Sequence, residues 1–177
     1  MRNCENWPIS KGLRLVNTRT LKILIDTNIW LDYYTGREEA SGYSSKLMKE
    51  LLCSKHDVLA SSLSTKDVYY LLQVYLKLAH RKQYKNAPVL EQVLAIQEAA
   101  WKSVQHMIEV SKVAAIDSAE CKRALELRKT CNDYEDNLIV ACAESFDADY
   151  LVTNDKSLRA PDTITVVSSS QLYARLF

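Results

Sequence analysis

Apolar residues along this chain follow two alternating spacings. Unbroken apolar runs at Lys22–Ile25, 58–61, 113–116, 150–153 and 164–167 have the length of buried parallel strands. Between them the spacing opens to that of a helix. Val68, Leu71, Leu72, Tyr75, Leu76 and Ala79 fall on one face, as do Val89, Val93, Ile96, Ala100, Val104 and Ile108. A third helix carries Ala119, Arg123, Ala124, Leu127 and Arg128. A fourth, over 133–146, is apolar at Leu138, Ile139, Ala141, Cys142 and Ala143. Asn86, Ala87 and Pro88 separate the first two helices, with Pro88 near the first turn of the second. Strands alternating with helices predict a parallel sheet covered by helices on both faces.

Composition agrees with one folded unit. A chain of 177 residues, 47% apolar and 25% charged, can bury a core without covalent staples. With only three glycines it has neither a Gly-rich phosphate loop nor a flexible interdomain linker. Residues 1–20 are polar, lack the apolar stretch of a signal peptide, and read as an N-terminal extension to a single domain over 21–177. No apolar run approaches the roughly 18 residues that cross a bilayer. Five cysteines, Cys4, Cys53, Cys121, Cys131 and Cys142, form no CxxC pair and read as small core residues of a protein in a reducing cytoplasm. His56, His80 and His106 share no metal-ligand spacing.

The chemistry gathers in aspartates. Asp26, Asp67, Asp136 and Asp155 each stand where an apolar run gives way to a turn or helix. In a parallel sheet the carboxyl ends of neighbouring strands converge on one edge, where ligands bind. Two carboxylates about 4 Å apart repel by roughly 4 kcal/mol at an effective dielectric near 20. Such a group persists if its members protonate or if a divalent cation sits among them. Each aspartate also has a local explanation. Asp67 lies three residues after Ser64 and can complete a reciprocal N-cap. Asp133 can cap the fourth helix, with Asp136 favouring its positive end, and Asp155 can belong to a turn. Asp26 resists such a reading, because it follows a buried strand directly and burial disfavours an uncompensated charge.

The run ILIDTNIWLD at 23–32 resembles the opening motif of PIN-domain ribonucleases. DYEDNLIVACA at 133–143 and ADYLVTND at 148–155 resemble their C-terminal half, and the likeness spans roughly 21–167. Residues 69–112 match in pattern only. The resemblance implies a three-layer α/β/α sandwich with strand order 3-2-1-4-5. It also implies Mg²⁺ or Mn²⁺ in an acidic pocket and endonucleolytic cleavage of RNA. Asp26, Asp67, Asp136 and Asp155 would be the catalytic residues. Asp26, Asp136 and Asp155 would ligate metal, with Asp133 in reserve, and Asn28 and Thr153 would be polar neighbours. Asp67 stands where the family most often has glutamate, one methylene longer. Glu135 is expected to point away from the site.

Lys77, Arg81, Lys82 and Lys85, with His80 and Tyr84, form a basic cluster that either contacts an RNA backbone or is a solvated helix end. Tyr69, Tyr70 and Tyr75 read as core or half-buried residues. The resemblance extends to VapC-like toxins of bacterial toxin–antitoxin operons, which implies a small antitoxin and a homodimer as partners. A catalytically silent PIN-like module binding RNA or protein is the alternative, favoured by Asp67. An Asp-x-Asp phosphatase fits poorly, because position 28 is asparagine.

Overall fold

The strand Lys22–Ile25 (β1) is the centre of the molecule, because its neighbours bury it on both faces. Ile23 and Ile25 point into one core with Ile29, Trp30, Leu47, Met48, Leu51 and Val68. Leu24 points into the other with Leu59, Leu127, Ile139, Val140 and Leu151. The computed structural model describes residues 19–36 and 42–177. Cys4 and nearly all of the 1–20 extension lie outside the described residues.

Five parallel strands are β1, Asp57–Ser61 (β2), Lys112–Ala114 (β3), Tyr150–Val152 (β4) and Val166–Val167 (β5), in the order β3-β2-β1-β4-β5. Seven helices are seen among the described residues. They are Thr27–Thr35 (α1), Ser44–Cys53 (α2), Ser62–Tyr84 (α3), Leu90–Val110 (α4), Ser118–Leu127 (α5), Tyr134–Ser145 (α6) and Ser169–Leu176 (α7). Helices α1, α2, α3, α4 and α7 serve the first core, and α5 and α6 the second. The apolar spacing predicts no helix at α1, α2 or α7. These are short, and α1 starts directly after a strand, so its first apolar residues read as continuing it. Gly36 ends α1 at φ +63°, the left-handed conformation that glycine tolerates best.

β2 starts one residue early, at Asp57, and β4 stops one short, at Val152, while β3 and β5 depart further from expectation. β3 ends at Ala114, and the Ile116 N–H donates to Ser62 Oγ at 3.1 Å instead of joining the ladder. β5 keeps only two residues, because the Ile164 N–H turns back to the Pro161 carbonyl at 3.3 Å while the Ile164 side chain stays buried. Among the described cysteines only Cys142 is a buried core residue. Cys53 is exposed, and Cys121 and Cys131 are half-buried.

The helical hairpin α3–α4 departs furthest from its pattern. Of the α4 face expected to be buried, Ala100 is, but Val89 and Ile108 are exposed. Leu71 and Ala79 of α3 are likewise exposed. The reason is the geometry of a two-helix arm, in which α4 packs mainly on α3 and one neighbour covers only a narrow strip. A second stripe, Leu90, Leu94, Trp101 and Ile108, runs along α4 at intervals of four and seven residues and faces outward, with Trp101 61% exposed. Tyr70 is exposed too, whereas Tyr69 and Tyr75 are half-buried. Among the described residues no helix is long and apolar enough to cross a membrane.

Candidate active site

The sheet order reverses between β1 and β4, and the carboxyl ends of those two strands define the site. The Asp26 N–H extends the ladder to the Val152 carbonyl at 3.0 Å. The chain then turns into α1, with Asp26 as N-cap and its Oδ1 accepting from the Thr27 N–H at 2.6 Å. Across the strand gap the Thr153 hydroxyl donates to Asp26 Oδ2 at 2.7 Å. The Asn28 Nδ2 donates to the same oxygen at 2.5 Å, and also to Thr153 Oγ1 at 2.9 Å. Both lone-pair directions of Oδ2 are therefore taken, while Oδ1 keeps one free.

Asp26 stands in a cavity of about 290 Å³ that Asp67, Asp133, Glu135, Asp136 and Asp155 also line. The structure thus brings all four aspartates singled out from the sequence to one place, with Asn28 beside them. Burial pushes the Asp26 carboxyl up to about 6, against the pull of the Thr153 and Thr27 hydrogen bonds, and the charges of Asp136 and Asp155 add to the rise. Asp136 is raised by burial first, then by Asp133 and Asp155. Asp155 is held low instead, because Ser157 donates from its N–H and its hydroxyl to Oδ1, both at 2.7 Å.

The local explanations divide. Asp67 is not a cap, because Ser61 starts α3 by accepting from the Ser64 N–H at 3.0 Å, which places Asp67 in the second turn. Its Oδ1 instead pairs with Lys66 Nζ at 2.8 Å. Asp133 does cap α6, accepting from the Glu135 and Asp136 N–H groups at 2.9 and 3.2 Å. The Ser157 bonds give Asp155 the turn role as well. Glu135 does not point away. It lines the cavity on the side facing α3, where burial and the Asp67 charge raise its carboxyl. Its position one residue off the Asp133–Asp136 face hid this, because the neighbouring helix closes that side.

Lys77, Arg81, Lys82 and Lys85 do not line the cavity. They belong to the opposite end of α3 from Asp67, or just beyond it. At 1.5 Å per residue the 14 positions from Asp67 to Arg81 span roughly 20 Å. Arg81 and Lys82 occupy the last turn, where cations complement the helix dipole.

A buried network behind the cavity was not legible in the sequence. Asn154 donates its N–H to Asn28 Oδ1 at 3.2 Å, which orients the amide that holds Asp26. The Asn154 Nδ2 donates to Ser44 Oγ at 2.9 Å, and Ser44 donates to buried Asp32 at 2.9 Å. Asn154 Oδ1 accepts from the Ser169 N–H and hydroxyl at 3.1 and 2.9 Å. These bonds join α1, α2, the β4 exit and α7 across as many as 126 sequence positions. Asn154→Ala removes three side-chain hydrogen bonds at about 1 kcal/mol each. The expected loss in unfolding free energy is about 2–3 kcal/mol, measured by urea denaturation.

The donor set fits a hydrated hard cation. Among the described residues no three His, Cys, Asp or Glu side chains converge into an ion cage. Mg²⁺ does not need one, because it retains several waters and takes one or two carboxylates together with substrate phosphate. Asp26 Oδ1, Asp136 and the Asp155 oxygen free of Ser157 supply oxygen donors of that kind. No histidine lines the cavity.

Comparison with known proteins gives the chain its relatives. Residues 22–157 match the sequence profile of the PIN domain. The chain is 26% identical over 157 residues to Ribonuclease VapC1 of Aquifex aeolicus, an alignment covering 87% of this chain and 94% of that one. A toxin–antitoxin complex from Klebsiella pneumoniae superposes with a TM-score of 0.54 at 19% identity, over 83% of this chain and 97% of that chain. VapBC2 from Rickettsia felis, bound to a DNA fragment from its promoter, gives 0.53 at 15% identity, over 82% and 97%.

Proposed function

The chain belongs to the PIN domain family, and from that premise we propose that it is a Mg²⁺- or Mn²⁺-dependent endoribonuclease of the toxin type. The observation that carries the proposal is the convergence of Asp26, Asp67, Asp136 and Asp155 in one cavity at the carboxyl edge of the sheet. Asp26, Asp136 and Asp155 would hold the cation. When bound, such an ion supplies an activated water and offsets charge on a phosphodiester.

The chain's own residues prepare the site. Asn28 and Thr153 fix Asp26 from its Oδ2 side, so its open lone pair keeps one direction. Thr153 in turn accepts from the Asp155 N–H at 3.0 Å, which ties two of the aspartates to one hydroxyl. Asp67 and Glu135 extend the negative field toward α3. A cavity lined by six carboxyl groups repels a polyanion, so RNA binding at this site requires the cation. The test is cleavage of a panel of structured RNAs by purified protein with Mg²⁺ or Mn²⁺ and with EDTA. Metal-dependent cutting supports the reading, and the absence of cutting by folded protein with every RNA and metal overturns it.

The reading includes RNA as substrate, an antitoxin partner, a second copy of the chain, a cytoplasmic setting, and one domain over 21–177 behind a 1–20 extension. The names of the Klebsiella and Rickettsia neighbours support the antitoxin. Pairing of two copies is supported by the outward stripe on α4, since apolar stripes of this length mark protein contacts. Trp101→Glu is expected to convert a two-chain particle into a single chain, read by light scattering. A catalytically silent module is the second reading, favoured by the short Asp67 side chain and its ion pair with Lys66.

A further inference from the structure

The first turn of α6 is a partition between two cavities. Asp133, Glu135 and Asp136 line the acidic one. Asn132, Tyr134 and Asn137 line another of about 260 Å³, closed on its far side by Leu125 and Arg128 of the α5 region. The two are separated by the width of a single helix, about 10 Å.

We propose that this α5–α6 crevice receives an unpaired base of the RNA strand whose phosphate lies in the acidic pocket. The inference rests on the ribonuclease reading for its choice of ligand. Its physical basis is an unpaired acceptor. Asn137 is only 2% exposed, and its Nδ2 donates to the Cys131 carbonyl at 2.9 Å. Facing a carbonyl, that end of the amide must be nitrogen, so Oδ1 is the atom left over. Among the described residues Oδ1 has no hydrogen-bond partner. A buried acceptor without a donor is costly to the folded protein and is satisfied by a ligand that brings an N–H.

The surroundings suit a base more than an ion or a sugar. Tyr134 is 49% exposed, so its ring offers a face for stacking. Arg128 is exposed, and its Nε makes only a long 3.4 Å bond to Asn132 Oδ1, which leaves the guanidinium able to turn to a carbonyl. An acceptor beside a cationic donor matches a base edge that presents an N–H next to an acceptor, which every base carries on its Watson–Crick face and a sugar phosphate does not. The crevice therefore receives a base next to the cleaved bond.

Nucleoside titrations followed by NMR test this without metal, phosphate or cleavage. With EDTA present, guanosine, uridine, adenosine and cytidine are expected to shift the Asn137 side-chain amide and the Tyr134 signals, and ribose not at all. Tyr134→Ala and Arg128→Ala should each weaken guanosine binding roughly tenfold, the scale of one lost base contact. Tyr134→Phe keeps the ring and retains binding. Equal shifts with ribose, no shifts, or wild-type affinity in Arg128→Ala overturn the proposal. Its failure is separable from that of the nuclease. Base-selective shifts in a protein that cuts no RNA retain the crevice and retire the nuclease, and metal-dependent cutting without shifts does the reverse.

Discussion

Asp26→Asn is expected to lower RNA cleavage by at least about a thousandfold, the scale on which a residue acting as one unit with its neighbours is missed. The same change should make the metal-free protein more stable at pH 8. Asp26 has its carboxyl raised from 3.8 to about 6 in the folded chain. Between those values the folded state holds a proton that the unfolded state has released. Stability from this group is therefore complete below about pH 4 and falls away as pH rises through about 6. A rise of roughly two units corresponds to about 3 kcal/mol lost by pH 8. Asparagine escapes that loss but turns an N–H₂ toward the Thr27 N–H, which returns about 1–2 kcal/mol. The net gain of about 1–2 kcal/mol is a rise of roughly 3–6 °C in melting temperature. At pH 4 it should reverse, because little of the charge loss remains there while the misdirected amide still costs about 1–2 kcal/mol. A variant less stable than wild type at pH 8, with EDTA present, contradicts this assignment.

Trp30→Ala should be among the most damaging core changes. Trp30 has no exposed surface and stacks on Tyr34 with ring centroids 6.0 Å apart, on the helix that begins at Asp26. Emptying such a site costs about 3–5 kcal/mol, a fall of about 10 °C or more in melting temperature. Trp30→Phe should cost far less than its lost volume suggests. The indole N–H is buried without a hydrogen-bond partner, so phenylalanine removes an unsatisfied donor along with the second ring. Equal losses in the two variants, read by urea denaturation, would show that the N–H is satisfied after all.

What could be read from the sequence was local. Asp26 after an unbroken apolar run is a local signal, and so is Asp133 three residues before Asp136. The five strands follow from apolar runs that need both faces covered. Glu135 was misplaced because helical spacing gives a direction around α6, whereas α3 decides which directions meet the cavity. Asn154 was quoted within the TND motif, yet its partners Ser44 and Ser169 lie 110 and 15 positions away, and nothing local marks them. The face expected on α4 departs for another reason. Periodicity reports that a face is apolar, and Val89 and Ile108 show that the face need not be buried in a single chain.

Titration of the full chain with Mn²⁺ at pH 6 and pH 8 tests the central claim most directly. A cation held by this pocket predicts saturable binding in wild type, its loss in Asp26→Asn, and its weakening in Asp136→Asn. Proton release should accompany binding at pH 6, where Asp26 is about half protonated. Unchanged binding in Asp26→Asn, or none in folded wild type at millimolar Mn²⁺, would contradict a metal site here and leave the silent module as the better reading.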